Sequence, residues 1–104
     1  MSIGFVALPT EKSLEKHGAK QAKARGIFVV KLGVIRGGGW PDHTFFKGGR
    51  VGFIEYKVSG TAKFQPLQKY YLSLLSRLGF KTAVCWTKEQ VDLFLEEFDA
   101  LHST

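Results

Sequence analysis

Three charged residues, Asp42, Glu55 and Lys57, stand where charge is unfavourable, and their types suit chemistry on phosphate. Asp42 follows Pro41 at the start of a strand pattern, whereas Glu55 and Lys57 interrupt a run of Val, Phe, Ile and Tyr. Charged side chains are disfavoured in a central strand unless they are paired or bind a ligand. We therefore treat these three residues as a candidate site.

A β-hairpin predicted from the sequence brings two of these residues together. A Lys-Gly-Gly-Arg turn follows Phe46 and makes it the partner of Val51. Counting back along the strand, Asp42 then pairs with Glu55. Paired side chains lie about 4.5–5.5 Å apart at Cβ, and two carboxylates at that separation repel each other unless a cation lies between them. Mg²⁺, which prefers oxygen ligands, suits such a pair.

A divalent ion held by two carboxylates beside a lysine suits the hydrolysis of a phosphodiester bond. The metal polarises the phosphate and lowers the pKa of a bound water. Lys57 projects to the same side as Glu55 and can stabilise developing charge or position the water. The alternative is an ordinary Glu55–Lys57 ion pair on a solvent-facing side of the sheet, with Asp42 as a turn residue.

The other reactive residue types do not suggest a second site. His17, His43 and His102 have no cysteine partners at zinc spacing, and we expect a structural role for His43, with lining of the site as the alternative. Cys85 lies in a buried strand pattern and is expected to be inert. The glycines of residues 33–39 precede neither a Lys-Ser element nor a helix, so we expect no P-loop and no nucleotide cofactor.

Hydrophobic periodicity predicts the elements that position the site. The predicted elements are helices over 11–25, 65–78 and from 87 onward, strands over 27–32, 42–46, 51–58 and 81–86, and a loop over 33–39. The order αβββαβα indicates an α/β protein with a central mixed sheet flanked by helices. The apolar stripes of the last two helices, including Tyr70 and Tyr71, are expected to be core.

Composition restricts the class of protein. The 104 residues suit one domain over 1–104, and 44% hydrophobic with 23% charged residues is ordinary for a globular protein. A single cysteine excludes an internal disulfide framework. No apolar run approaches the roughly 20 residues of a membrane helix. We expect a soluble protein of the cytoplasm that does not bind a membrane.

The charge is unevenly distributed and favours a polyanionic partner. Residues 11–81 carry a net charge of +10 and residues 82–104 a net charge of −4. A basic body is typical of nucleic-acid binding, with solubility alone as the alternative. Four candidate nucleic-acid contacts are lysines that share one face of the first helix: Lys12, Lys16, Lys20 and Lys23. The other three candidates are Arg36, Trp40 and Lys63. Trp40 could stack on a base or pack against its loop.

Several short motifs in a fixed order resemble the virus-type replication-repair nuclease (VRR-NUC) domain of the PD-(D/E)XK nuclease superfamily. They read GWPD at 39–42, GRVGFIEYK at 49–57, QPLQ at 65–68 and LGF at 78–80. The resemblance extends from about residue 14 to about residue 98. It implies a restriction-endonuclease-like core with the element order derived above.

The resemblance also implies the site residues. The matching positions are Asp42, Glu55, the backbone carbonyl of Tyr56, Lys57, Gln68 and, on the first helix, Glu15 or its competitor Glu11. Asp42, Glu55 and the Tyr56 carbonyl are implied metal ligands, and Glu15 could assist a second metal or a bound water. Gln68 is expected to orient Lys57 or a phosphate. Gln65 is better explained as a helix cap.

The expected activity is hydrolysis of DNA that depends on Mg²⁺, with Mn²⁺ as a substitute. Family members of this size resemble Holliday-junction resolvases, which implies branched DNA, a homodimer and a phage or prophage setting. The first alternative is a non-catalytic nucleic-acid-binding module on the same fold. The second is a small α/β interaction protein whose charge serves solubility.

Overall fold

The structure is a computed structural model that describes residues 9–32, 37–58 and 65–101. Its elements, in chain order, are α1 (Glu11–Ala24), β1 (Phe28–Val30), β2 (His43–Lys47), β3 (Arg50–Tyr56), α2 (Pro66–Arg77), β4 (Lys81–Cys85) and α3 (Lys88–Leu101). This order confirms the αβββαβα prediction, and the strand ends differ from the predicted ones by at most two residues. β2 ends one residue later and β3 begins one residue earlier than expected, whereas the other ends that differ make the strands shorter. Within the described ranges, no helix is both long and apolar enough to span a bilayer.

The four strands form one mixed sheet in the order β1-β2-β3-β4. β1, β2 and β3 pair antiparallel, and β4 joins β3 in parallel after the α2 crossover. The turn between β2 and β3 has Gly48 and Gly49 at φ 56° and 79°, the left-handed values that a two-residue hairpin turn requires. Phe46 pairs with Val51, which confirms the predicted register.

β3 is the centre of the molecule because helices cover both of its faces. Ile54 and Tyr56 are fully buried on the side of α1 and α3, and Gly52 lies so close to Phe94 and Phe98 of α3 that a Cβ would sit 3.0–3.1 Å from their rings. The opposite face carries Phe53, Glu55 and Lys57 toward α2. Residues 52–57 and Phe45 beside them are all buried. The charged side chains of Glu55 and Lys57 therefore lie in the interior of the protein.

Threonine side chains cap the starts of α1 and α3, and a glycine follows the end of α1. Thr10 caps α1 in a capping box with Ser13, and Gly26 follows the helix at φ 69°. At the start of α3 the Thr87 hydroxyl accepts a hydrogen bond from the Gln90 N–H at 3.1 Å. These contacts satisfy backbone groups that a helix end leaves open.

The prediction that the whole apolar stripe of α2 is core is wrong. Leu75 is buried and Tyr71 is half-buried, but Tyr70 is 53% exposed and Leu78 is 62% exposed. α2 packs mainly against β4, the edge strand of the sheet. Only one side of the helix therefore has a sheet to cover, and part of the apolar stripe remains in solvent.

Candidate active site

The hairpin register places Asp42 beside β3 at the level of Glu55. His43 pairs with Ile54, and one further step along each strand leads to Asp42 and Glu55. The Tyr56 backbone N–H donates a hydrogen bond to Asp42 Oδ2 at 2.8 Å. This contact orients the carboxylate of Asp42 at the end of the strand pair. The proximity of the two acids, which the sequence predicted from the turn, is therefore a property of the fold.

Glu55 is an acid in the protein interior, with only 4% of its side chain exposed. Burial, and next the charge of Asp42, raise its pKa from 4.5 to about 7, although Lys57 and the Asp42 backbone act in the opposite direction. Low-dielectric surroundings disfavour a carboxylate, and so does a second carboxylate nearby. The protonated form of Glu55 is therefore favoured more strongly than in an exposed glutamate.

Lys57 and Gln68 complete a buried hydrogen-bonded group around Glu55. The Lys57 ammonium lies 3.4 Å from Glu55 Oε2 and donates a hydrogen bond to Gln68 Oε1 at 3.1 Å. Gln68 Nε2 donates to the same Glu55 oxygen at 3.2 Å. The Lys57 side chain is 6% exposed, so the ion pair is not on a solvent-facing side of the sheet, as the alternative interpretation required.

The first turn of α2 fixes Gln68. The Gln65 N–H donates to Gln68 Oε1 at 3.0 Å, and Gln65 is the N-cap residue of α2, in agreement with the prediction that it caps. Gln68 Oε1 thus accepts from both Gln65 and Lys57. Because the amide is held by three partners, its orientation follows from the hydrogen bonds, and it can hold the Lys57 ammonium beside Glu55.

Asp42 also has a raised pKa. Burial is the main cause, the Tyr56 N–H opposes it, and the charges of Glu15 and Glu11 raise it further while Lys31 lowers it. A carboxylate buried among other carboxylates is a recurrent feature of sites that bind cations or move protons. Asp42 and Glu55 share this property, which distinguishes them from an ordinary turn residue and an ordinary ion pair.

Between the two candidates on the first helix, the structure brings Glu15 closer to the site. Glu15 has 20% of its side chain exposed and pairs with Lys31 at 2.7 Å, and its effect on the pKa of Asp42 exceeds that of Glu11. Glu11 is exposed. Both roles remain predictions, but Glu15 is the better placed acid.

The sequence reasoning missed Lys31. It follows β1 and its charge acts on both Glu15 and Asp42. Nothing in its local pattern marks it, because Glu15 and Lys31 lie on different elements that meet only when α1 packs beside β1. The one indication in the sequence was that Lys31 directly follows a strand. β1 ends beside the start of β2, close to Asp42.

The donor chemistry of Asp42 and Glu55 fits a hard divalent cation. Both are carboxylates with raised pKa values, and oxygen donors of this type are what Mg²⁺ prefers. Among residues 9–32, 37–58 and 65–101, there is no group of three or more His, Cys, Asp or Glu side chains arranged to hold a metal. The candidate donors are therefore the two carboxylates, to which the sequence prediction adds the Tyr56 carbonyl.

The predicted nucleic-acid contacts have different surroundings. The four α1 lysines of the lysine face (Lys12, Lys16, Lys20 and Lys23) are all exposed. Trp40 is half-buried; its indole N–H donates to Thr44 Oγ1 at 3.2 Å, and its ring meets Phe53 and Tyr71 edge-on at 5.5 and 5.6 Å. Trp40 thus packs against the sheet and α2 rather than against its own loop, and a contact to a base stays a prediction. Arg36 and Lys63 lie outside the described residues.

Cys85 has the environment that was expected of it. It is buried and unpaired, and burial raises the pKa of its thiol to about 11. Because the thiolate is the reactive form of cysteine, this residue is inert at neutral pH. It contributes instead through its carbonyl oxygen, which accepts a hydrogen bond from the Lys57 N–H at 3.0 Å.

Comparison with known proteins agrees with this geometry. A solved structure titled "VRR_NUC domain" is 26% identical to the chain, covers 85% of this chain and 96% of its own length, and superposes with a TM-score of 0.73. No family model and no curated protein matches the chain. The resemblance to the VRR-NUC domain that the motifs indicated is thus confirmed by structure, and the fold is that of a nuclease-type domain.

Proposed function

We propose that the chain is a Mg²⁺-dependent endonuclease that hydrolyses phosphodiester bonds in branched DNA and acts as a homodimer. The observation that carries the proposal is the pair of carboxylates with raised pKa values, the half-buried Asp42 and the buried Glu55, beside the buried ammonium of Lys57. A fold alone does not determine function. The combination of this fold with these side chains supports hydrolysis of a phosphate ester.

The residues have distinct tasks in this proposal. Asp42, Glu55 and the Tyr56 carbonyl hold the metal, which when bound polarises the phosphate and lowers the pKa of a water. Lys57 places a positive charge where negative charge develops on the phosphate oxygens. Gln68 keeps the Lys57 ammonium in that position through the hydrogen bond to its Oε1.

Binding of DNA is supported by the charge of the chain and by the lysine face of α1. The sequence carries a net charge of +6, whereas the exposed side of α3 is acidic, with Glu89, Asp92 and Glu96 in solvent. DNA binding driven by phosphate contacts depends on such lysines and weakens with salt. The proposed DNA contacts therefore include the lysines of α1 and exclude the acidic side of α3.

The preference for branched DNA and the homodimer are proposals that come from the family resemblance. A resolvase cuts two strands that are related by a two-fold axis. Two copies of this chain related in the same way would each supply one set of Asp42, Glu55 and Lys57. The proposal thus expects paired nicks at symmetric positions rather than single random cuts.

Cleavage of a labelled four-way junction, with duplex and single-stranded DNA alongside, tests the proposal. Each substrate is incubated with Mg²⁺, Mn²⁺ or EDTA, using wild type, Glu55→Gln and the matched control Glu96→Gln, which changes an exposed acid of α3. We expect paired nicks in either metal from wild type and Glu96→Gln, and none from Glu55→Gln or in EDTA. Tight binding of the junction without cutting in either metal would favour the non-catalytic binding module.

A further inference from the structure

The side chain of Tyr56 lies on the opposite face of β3 from Glu55 and Lys57. It is fully buried, and a hydrogen bond of 2.7 Å joins its hydroxyl to Nδ1 of His43. His43 is itself only 6% exposed, and the two rings meet edge-on at 5.2 Å. Burial raises the pKa of Tyr56 and lowers that of His43, which favours the neutral form of each. The Tyr56 hydroxyl is thus held by the buried ring of His43.

Gly18 of α1 completes the surroundings of this phenol. It is a buried residue in the middle of a helix, where glycine is less favourable than alanine by about 1 kcal/mol. A Cβ at Gly18 would overlap the Tyr56 hydroxyl oxygen and would lie 3.0 Å from Cζ of the ring. The backbone conformation does not require glycine here, since Gly18 is not among the residues with positive φ. Close approach of Tyr56 to α1 is the reason for glycine.

The main chain of Tyr56 is part of the candidate site. Its N–H holds Asp42 Oδ2 at 2.8 Å, and the next residue along the chain is Lys57. A movement of the Tyr56 ring away from α1 therefore displaces the peptide groups that orient Asp42. Tyr56 therefore links its own ring, on one face of β3, to the Asp42 carboxylate that its N–H holds.

We propose that Gly18, His43 and Tyr56 form a positioning anchor that fixes the backbone of Tyr56 and through it the carboxylate of Asp42. The proposal rests on the proposed function, since it concerns the geometry of the same site. Gly18, His43 and the side chain of Tyr56 are positioning groups, because they meet on the face of β3 opposite Glu55 and Lys57. Of the Tyr56 residue, only the main chain belongs to the proposed metal site. In the absence of this role, the same contacts would serve only the stability of the core.

A steric double mutant separates the two roles. Gly18→Ala introduces the methyl group that overlaps the Tyr56 hydroxyl, and Tyr56→Phe removes that oxygen, after which the nearest ring carbon lies 3.0 Å away. Gly52→Ala is the matched control, because its Cβ would press on Phe94 and Phe98 at 3.0–3.1 Å on the same face of β3 and remote from Asp42. All three single variants are expected to lower the melting temperature.

Two measurements on each variant decide the proposal. The first is the exchange rate of the Tyr56 amide proton with EDTA present, compared with the amide of Ile54 in the same strand. The second is Mn²⁺ affinity by calorimetry, at a temperature where every variant is folded. We expect Gly18→Ala to accelerate exchange at Tyr56 more than at Ile54 and to weaken Mn²⁺ binding about 10-fold or more, as is typical when the support of a metal ligand is lost. Adding Tyr56→Phe should restore both toward the values of Tyr56→Phe alone.

The outcomes distinguish failure of the positioning anchor from failure of the proposed function. Gly18→Ala with wild-type Mn²⁺ affinity and no selective change at the Tyr56 amide would overturn the anchor, and so would an equal effect from Gly52→Ala. If wild type itself binds no Mn²⁺, the proposed function fails, whereas the amide exchange, which needs no metal, still decides whether the anchor holds the Tyr56 backbone.

Discussion

Replacing Glu55 with glutamine should change how the stability of the metal-free protein depends on pH. The pKa of Glu55 is about 7 in the folded protein, against an ordinary value of 4.5. The folded state therefore binds the proton more tightly than the unfolded state, and this stabilises the fold at low pH. The contribution is fully present below pH 4.5 and is lost as the pH rises through 7.

The size of the effect follows from the shift. One pKa unit corresponds to about 1.4 kcal/mol, so the change in Glu55 between pH 5 and pH 8 is on the order of 2 to 3 kcal/mol. The side chain is 4% exposed, so solvent screening does not reduce this value strongly. Glutamine has a similar shape and does not titrate, and Glu55→Gln should therefore gain about that much stability relative to wild type between pH 5 and pH 8.

Urea unfolding in EDTA at pH 5 and pH 8 measures the effect. The quantity to compare is the difference in free energy of unfolding between variant and wild type, because other titrating groups are common to both proteins. Glu96→Gln, at an exposed position of α3, should show the same pH dependence as wild type. A difference between Glu55→Gln and wild type that stays constant over this range would refute the assignment of Glu55 as the acid with the raised pKa.

Three further predictions concern the site, the DNA contacts and the glycine segment. Lys57→Ala should abolish cleavage and leave Mn²⁺ binding largely intact, whereas Asp42→Asn should weaken both; cleavage by Lys57→Ala at the wild-type rate would show that the site is wrongly assigned. Changing all of the lysine face to alanine should reduce the slope of log affinity for duplex DNA against log salt by about 3 to 4, and an unchanged slope would exclude that face from the contact. Gly39→Ala should destabilise the protein by about 1–3 kcal/mol more than Gly38→Ala, because both have positive φ but only a Cβ at Gly39 meets Leu67, at 2.5 Å; equal losses in urea unfolding would contradict this packing.

The parts of the site that were predictable from sequence are those set by local rules. The glycines of the hairpin turn fix the register, and the register alone brings Asp42 to the level of Glu55. Alternation along β3 correctly separates Tyr56 from Glu55. Gln68 was identified only through the family resemblance, since its contacts with Glu55 and Lys57 depend on how α2 crosses the sheet.

What the sequence did not reveal depends on contacts between distant elements. The exposure of Tyr70 results from the position of α2 beside an edge strand, which periodicity does not encode. The pairing of Glu15 with Lys31 joins α1 to the end of β1. Nothing in the local sequence of α1 indicates that Gly18 is the position where the helix admits the Tyr56 hydroxyl.

The proposed metal binding should compete with protonation of Glu55, whose pKa lies near neutral pH. Glu55 has Lys57 at 3.4 Å and a hydrogen bond from Gln68, yet burial and Asp42 still raise its pKa to about 7. Lys57 therefore does not fully offset the effects of burial and of Asp42 on the pKa of Glu55. A divalent ion binds only after the proton leaves, so its stabilisation of the protein should be larger at pH 8 than at pH 5. Thermal unfolding with and without Mg²⁺ at the two pH values measures this, and Glu55→Gln should lose the difference.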